Sequence, residues 1–151
     1  MKSFARLFFL IAVAVTMTCG YAAADSPGKH PAYMHALTDL RNARAFLYYK
    51  PNKPASAEEQ VAINEIDAAM HELTEAALDD AKPVNDHPAS DARYDRTDRL
   101  HRVQELLDQA RTDVKEHESN RWSKAYRDSA LKHIELARKA IKKAIDIDVH
   151  E

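Results

Sequence analysis

Glycine ends at residue 28. The 151-residue chain has two glycines, Gly20 and Gly28, so everything beyond lacks the residue that favours tight hairpins and left-handed turns. Proline is missing from every stretch with a helical repeat; the six prolines sit at 27, 31, 51, 54, 83 and 88. Alternating β-branched residues occur only at Ile11–Val15 and Ile145–Val149, too little to sign a sheet. Cysteine occurs once, at Cys19, and no Asn-x-Ser/Thr sequon occurs at all, which leans toward a bacterial envelope. These absences leave helix.

The N-terminus reads as a secretory signal over residues 1–24. Lys2 and Arg6 form a positive start, and Leu7 to Met17 is an apolar run too short to span a bilayer. Ala22-Ala23-Ala24 then offers small residues ahead of a cut before Asp25. A lipoprotein signal would instead cut before Cys19 and acylate it, but Thr16 and Thr18 stand where that signal wants a leucine-like and a small residue. Cleavage before Asp25 predicts a periplasmic or secreted protein without cysteine, which must be held by its core alone. Losing Lys2 and Arg6 takes the basic count from 22 to 20 against 24 acidic residues, a net of −4 with neutral histidine. That charge disfavours nucleic acid and anionic membrane as partners.

Residues 25–30 read as a polar leader and 31–149 as four helices. Tyr33, Ala36, Leu37, Leu40, Ala43, Arg44 and Leu47 share one face, and Pro31 suits a first turn. Ser56 and Glu59 form a capping box ahead of Ala62, Ile63, Ile66, Ala69, Met70, Leu73 and Ala77. A polar connection over 81–90 precedes a third helix that begins somewhere between Asp91 and Asp98, with Asp91 or Asp95 as cap candidates. Its stripe is Leu100, Val103, Leu106, Leu107, Ala110 and Val114. Asn120 can cap the last and longest helix, Trp122 to Val149, whose stripe is Trp122, Tyr126, Ala130, Ile134, Ala137, Ile141, Ala144 and Ile145. Short connections suit antiparallel neighbours, so the expectation is all-α: an up-down-up-down four-helix bundle after a cleaved signal peptide.

Eight histidines are the one compositional oddity, all of them after residue 24. His35, His71 and His101 fall away from the stripes, although His35–Asp39 and the carboxylates four residues either side of His71 have pairing distance. His117 suits the negative end of helix three. His133 lies on the stripe of the last helix beside Tyr126 and between alanines. It is expected either to meet a facing-helix carboxylate, hydroxyl or water, or to hold an internal ligand. An up-down-up-down bundle would also gather His30, Asp79, Asp80, Asp86, His87 and His150 at one end. There they form either a hydrated cap or a site for zinc, copper or nickel. No Glu-x-x-His or His-Glu-x-x-His motif occurs, and no glycine-rich phosphate loop, so the di-iron and phosphate-loop chemistries have no ligands here.

The run His30-Pro-Ala-Tyr-Met-His-Ala-Leu-Thr-Asp-Leu-Arg-Asn-Ala-Arg44, with Asp86-His87-Pro88 and Leu100-His101-Arg102, resembles a group of small exported bacterial proteins of unknown function, over nearly all of the mature chain. The layout, with Ala76-Ala77-Leu78-Asp79 before a proline-containing connection, is also similar to the periplasmic b-type four-helix-bundle cytochromes. That likeness implies haem held by a Met near the start of helix one and a His near the end of helix four, here Met34 and His150. The leading expectation is a non-enzymatic binding or interaction module for a protein or small ligand, with no cofactor required. The alternative is a histidine-based metal or haem carrier.

Overall fold

A computed structural model describes residues 32–49, 54–85, 87–89 and 98–150. The expected signal and leader, Cys19, His30, Pro31, Asp86, Asp91 and Asp95 lie outside the described residues. Every described element is an α-helix: α1 (Tyr33–Tyr48), α2 (Ala57–Asp79), α3 (Arg99–Val114) and α4 (Arg121–Asp148). None is long and apolar enough to cross a membrane.

The helix starts follow from local chemistry. Ser56 accepts from the Glu59 amide while Glu59 accepts from the Ser56 amide, which satisfies two orphan donors of α2 at once. Asn120 accepts from Trp122 N–H at the start of α4. Asp98 caps α3 by accepting from Leu100 N–H, so α3 begins at the far limit of the expected 91–98 range, with neither Asp91 nor Asp95 as its cap. The end of α2 closes without glycine. Lys82 N–H bonds the Ala77 carbonyl and Ala81 N–H that of Leu78, with Ala81 at φ 54°, a left-handed position where glycine is usual.

The core is the four stripes meeting. Leu37, Leu40, Leu47, Ile63, Ile66, Leu73, Leu106, Leu107, Ile134 and Ile141 are buried, with alanines such as Ala43, Ala69, Ala110 and Ala137 between them allowing close approach. Each buried Leu or Ile contributes roughly 1.5–3 kcal/mol relative to exposure. The stripes of α1 to α3 hold as expected, except that Arg44 and Met70 are only partly buried. On α4 the expected stripe is corrected at its start. Trp122 is 73% exposed and Tyr126 is exposed too, because the buried face runs through Ser123, Ala130, Ile134 and Ala137.

The order of the helices also differs from expectation. α1 packs on α2 and α3, and α4 packs on α2 and α3, leaving α1–α4 and α2–α3 as the diagonals. Ala32 N–H bonds the Asp113 carbonyl, so α1 starts where α3 ends. Arg99, the first residue of α3, reaches both Glu59 at the start of α2 and the Phe46 carbonyl near the end of α1. Asn120 and Ser123 at the start of α4 bond Asp79 and Asp80 at the end of α2. α2 and α3 therefore run the same way, and the bundle is up-down-down-up.

Neighbours are all antiparallel even so. The physical reason is the length of the connection. With Asp98 as the cap, 19 residues separate Asp79 from Arg99, and at about 3.3 Å each they can run back along the whole bundle. Described points on it climb α1: Lys82 lies over the Tyr33 ring at 4.6 Å, and His87 meets Arg41 at 3.0 Å.

Candidate functional site

The reordered helices separate the residues expected to share an end. Asp79 and Asp80 sit where α1 and α4 begin, and their carboxylates accept from Ser123 Oγ and Asn120 Nδ2. His150 lies past the other end of α4, and its Nδ1 stands 2.7 Å from the Asp146 carbonyl. The 28 residues of α4, about 40 Å at 1.5 Å each, lie between them. His87 faces Arg41 partway up α1. The cluster of Asp80, His87 and His150 is thus not assembled, while His30 and Asp86 fall outside the described residues. Among the described residues, no group of three or more His, Cys, Asp and Glu side chains converges as metal ligands would.

The haem pair is separated for the same reason. Met34, in the first turn of α1, partly packs against the core at the end where α4 begins, and His150 is at the opposite end. An up-down-up-down chain would have brought them together; this order puts helix one's start and helix four's end a bundle length apart.

His133 is placed differently from the internal-ligand expectation. It lies roughly 60° around α4 from the Ile134–Ala137–Ile141 face, its side chain is 31% exposed, and its Nδ1 stands 2.7 Å from Glu65 Oε2. The facing-helix carboxylate is therefore Glu65, and Tyr126 is exposed. His35, His71 and His117 are partly or fully exposed, and His101 pairs with Asp98. Asp67, one of the carboxylates spaced to meet His71, instead pairs with Arg44 at 2.7 Å.

The sequence pattern did not disclose five buried polar residues: Asp39, Glu59, Asp113, Glu118 and Ser123. Glu118 and Ser123 help close the end where α4 begins. The buried Tyr33 hydroxyl donates to Glu118, which also accepts from Asn120 N–H at 2.7 Å. Burial and the bond to Glu118 push the Tyr33 phenol well above its ordinary range, and burial lowers the Lys82 ammonium above its ring. Glu59 ties the other end together through Arg99. A cavity of about 370 Å³ opens beside it, lined by Ser56, Asp98, Leu100, Ala144 and Ile147 among others.

One surface feature stands apart from these closures. Along the outward seam between α2 and α4, Val61 and Leu136 are 49% and 45% exposed. With Ala57 and Ala140 they line an apolar groove of about 480 Å³. Two cross-helix pairs frame it, Lys143–Glu58 at 2.9 Å and His133–Glu65 at 2.7 Å. Hydrogen bonding from Lys143 is the main cause holding the Glu58 carboxyl below its usual range. A shallower apolar patch continues from Leu136 to Leu131, edged by Lys132 and Lys139. No family model, curated protein or solved structure matches this chain.

Proposed function

We propose that the chain is an exported helical-bundle binding module that docks a partner along the α2/α4 seam. The observation that carries this reading is the pair Val61 and Leu136, two branched aliphatics held open to solvent between flanking ion pairs. Single exposed aliphatics are ordinary, but here two lie within about one helical turn of each other in one groove that Ala57 and Ala140 also line. The helices beneath them are packed through a continuous core, so the groove is preformed and ordering it on binding costs little. The exported half of the reading rests on the charged start, apolar run and alanine triplet of residues 1–24.

Two measurements test it. Intact mass of the envelope-purified protein is expected to give an N-terminus at Asp25, and a retained leader removes the export reading. A photo-crosslinking side chain at position 136 is expected to give a discrete adduct in cells. The same group at exposed His71 is expected to give none, because that residue lies on another side of α2. No adduct from position 136 removes the docking reading.

A further inference from the structure

The occupant of the seam is the next question, and the answer rests on the docking reading above. Both helices carry a second stripe beside the buried one. On α4 it runs at steps of three, four and seven residues through Trp122, Tyr126, His133, Leu136, Ala140 and Ile147, all partly or fully exposed. That spacing is the seam pattern of a helix with a further helix to meet. On α2 the matching stripe is Glu58, Val61, Glu65, Ala68, Glu72 and Glu75, acidic except for its two small aliphatics. Outside the α4 stripe stands a rim of exposed lysines, Lys132, Lys139 and Lys143. The face is therefore acidic on one helix, basic on the other and apolar between them.

We propose that a second copy of this chain occupies the seam, related by a twofold axis parallel to the helices. Such an axis sets each α2 opposite the partner's α4 and keeps every residue at its own height. The Lys143–Glu58 and His133–Glu65 pairs fix those heights, with Val61 level with Lys139. Across the axis, the carboxylates of one copy then meet the lysine rim of the other, and Val61 of one copy lies within about one helical turn of Leu136 of the other.

A twofold axis perpendicular to the helices would instead lay α2 on α2, carboxylates against carboxylates, at a repulsive cost. The charge pattern thus selects one orientation and disfavours the other. The size is adequate too. A face one α2 long and two helices wide covers about 700 Å² on each copy, or about 1,400 Å² in total, within the range of specific interfaces.

The test is sedimentation velocity on the full envelope-purified chain, with crosslinking from position 136 beside it. The expected result is a species of twice the chain mass that weakens at least tenfold in high salt and at least tenfold in Leu136→Glu. Glu58→Lys with Glu65→Lys makes the face wholly more basic, and Lys139→Glu with Lys143→Glu makes it more acidic. Each double variant alone is expected to be monomeric with unchanged far-ultraviolet helicity, and their mixture to associate. A wild-type monomer up to about 0.1 mM overturns the proposal, as does a dimer indifferent to Leu136→Glu. An adduct from position 136 of a mass other than twice the chain's also overturns it, while leaving the docking reading standing; no adduct removes both.

Discussion

The Arg99 guanidinium, on the first residue of α3, pairs with the Glu59 carboxylate in the first turn of α2, although the two helices lie on a diagonal. Glu59 is 1% exposed and also completes the capping box, and Arg99 further donates to the Phe46 carbonyl. One cation therefore fixes the start of α2, the start of α3 and the end of α1. Removing it leaves a buried carboxylate without its main counter-charge. Because Arg99 keeps partial solvent access, Arg99→Leu is expected to cost about 2 kcal/mol, below the range for fully buried pairs. Urea denaturation checks this, and a loss under about 0.5 kcal/mol would show the pair to be incidental.

At the end of α2, Ala81 holds φ 54° in a helix stop closed by two backbone bonds to Ala77 and Leu78. A Cβ in that region is sterically disfavoured, and glycine has none. Ala81→Gly is expected to raise stability by about 0.5–1 kcal/mol, against the usual penalty of adding a glycine. Ala81→Val is expected to lower it by at least as much. Thermal midpoints of the two variants moving in the same direction would contradict the assignment.

Tyr33 makes stability depend on alkaline pH. Burial first, then the bond to Glu118, raises its folded-state proton affinity above the ordinary value of 10.0. The unfolded chain therefore loses this proton first, and the stabilisation present below about pH 10 falls as pH rises, by up to about 1.4 kcal/mol per pH unit. Lys82 acts with the opposite sign. Its folded-state affinity is lowered by burial, so its cost is relieved as pH rises through that lowered value and is gone by about its ordinary value of 10.5. The net expectation is a fall above pH 10 that Tyr33→Phe flattens and Lys82→Met steepens. Equilibrium unfolding at pH 8 to 11 reads both, and parallel curves for wild type and Tyr33→Phe would rule out the phenol as the source.

The apolar stripes were legible because period 3.6 is a one-dimensional signal. Leu37, Ile66, Leu107 and Ile134 are buried as their spacing requires. The Ser56–Glu59 box and the Asn120 cap were legible because they are local. His133 was misjudged because the edge of a stripe and its centre differ by about half a helix face, which a spacing argument resolves poorly. Trp122 read as core for the same reason. Arg99 with Glu59, and Tyr33 with Glu118, were invisible because each joins residues far apart in sequence through the order of the helices. That order was the one property on which the grouping of His87, Asp80 and His150 depended.

The helix order can be tested directly in solution. In this bundle α2 and α3 both start at the end fixed by Arg99, so exposed Gln60 is near the start of α3 and far from Lys115 at its end. In an up-down-up-down bundle, position 60 would instead lie near position 115. Cys19 is the only native thiol, so Cys19→Ser allows clean labelling at introduced cysteines. Spin labels at 60 and 115 are expected to lie farther apart than the length of α3, about 24 Å by helix rise. Labels at exposed Leu78 and Lys115 are expected to be closer together, because the ends of α2 and α3 share one end of the bundle. The opposite ranking would restore the simpler order, and with it the Met34–His150 haem pair and the histidine–aspartate cluster that the crossover separates.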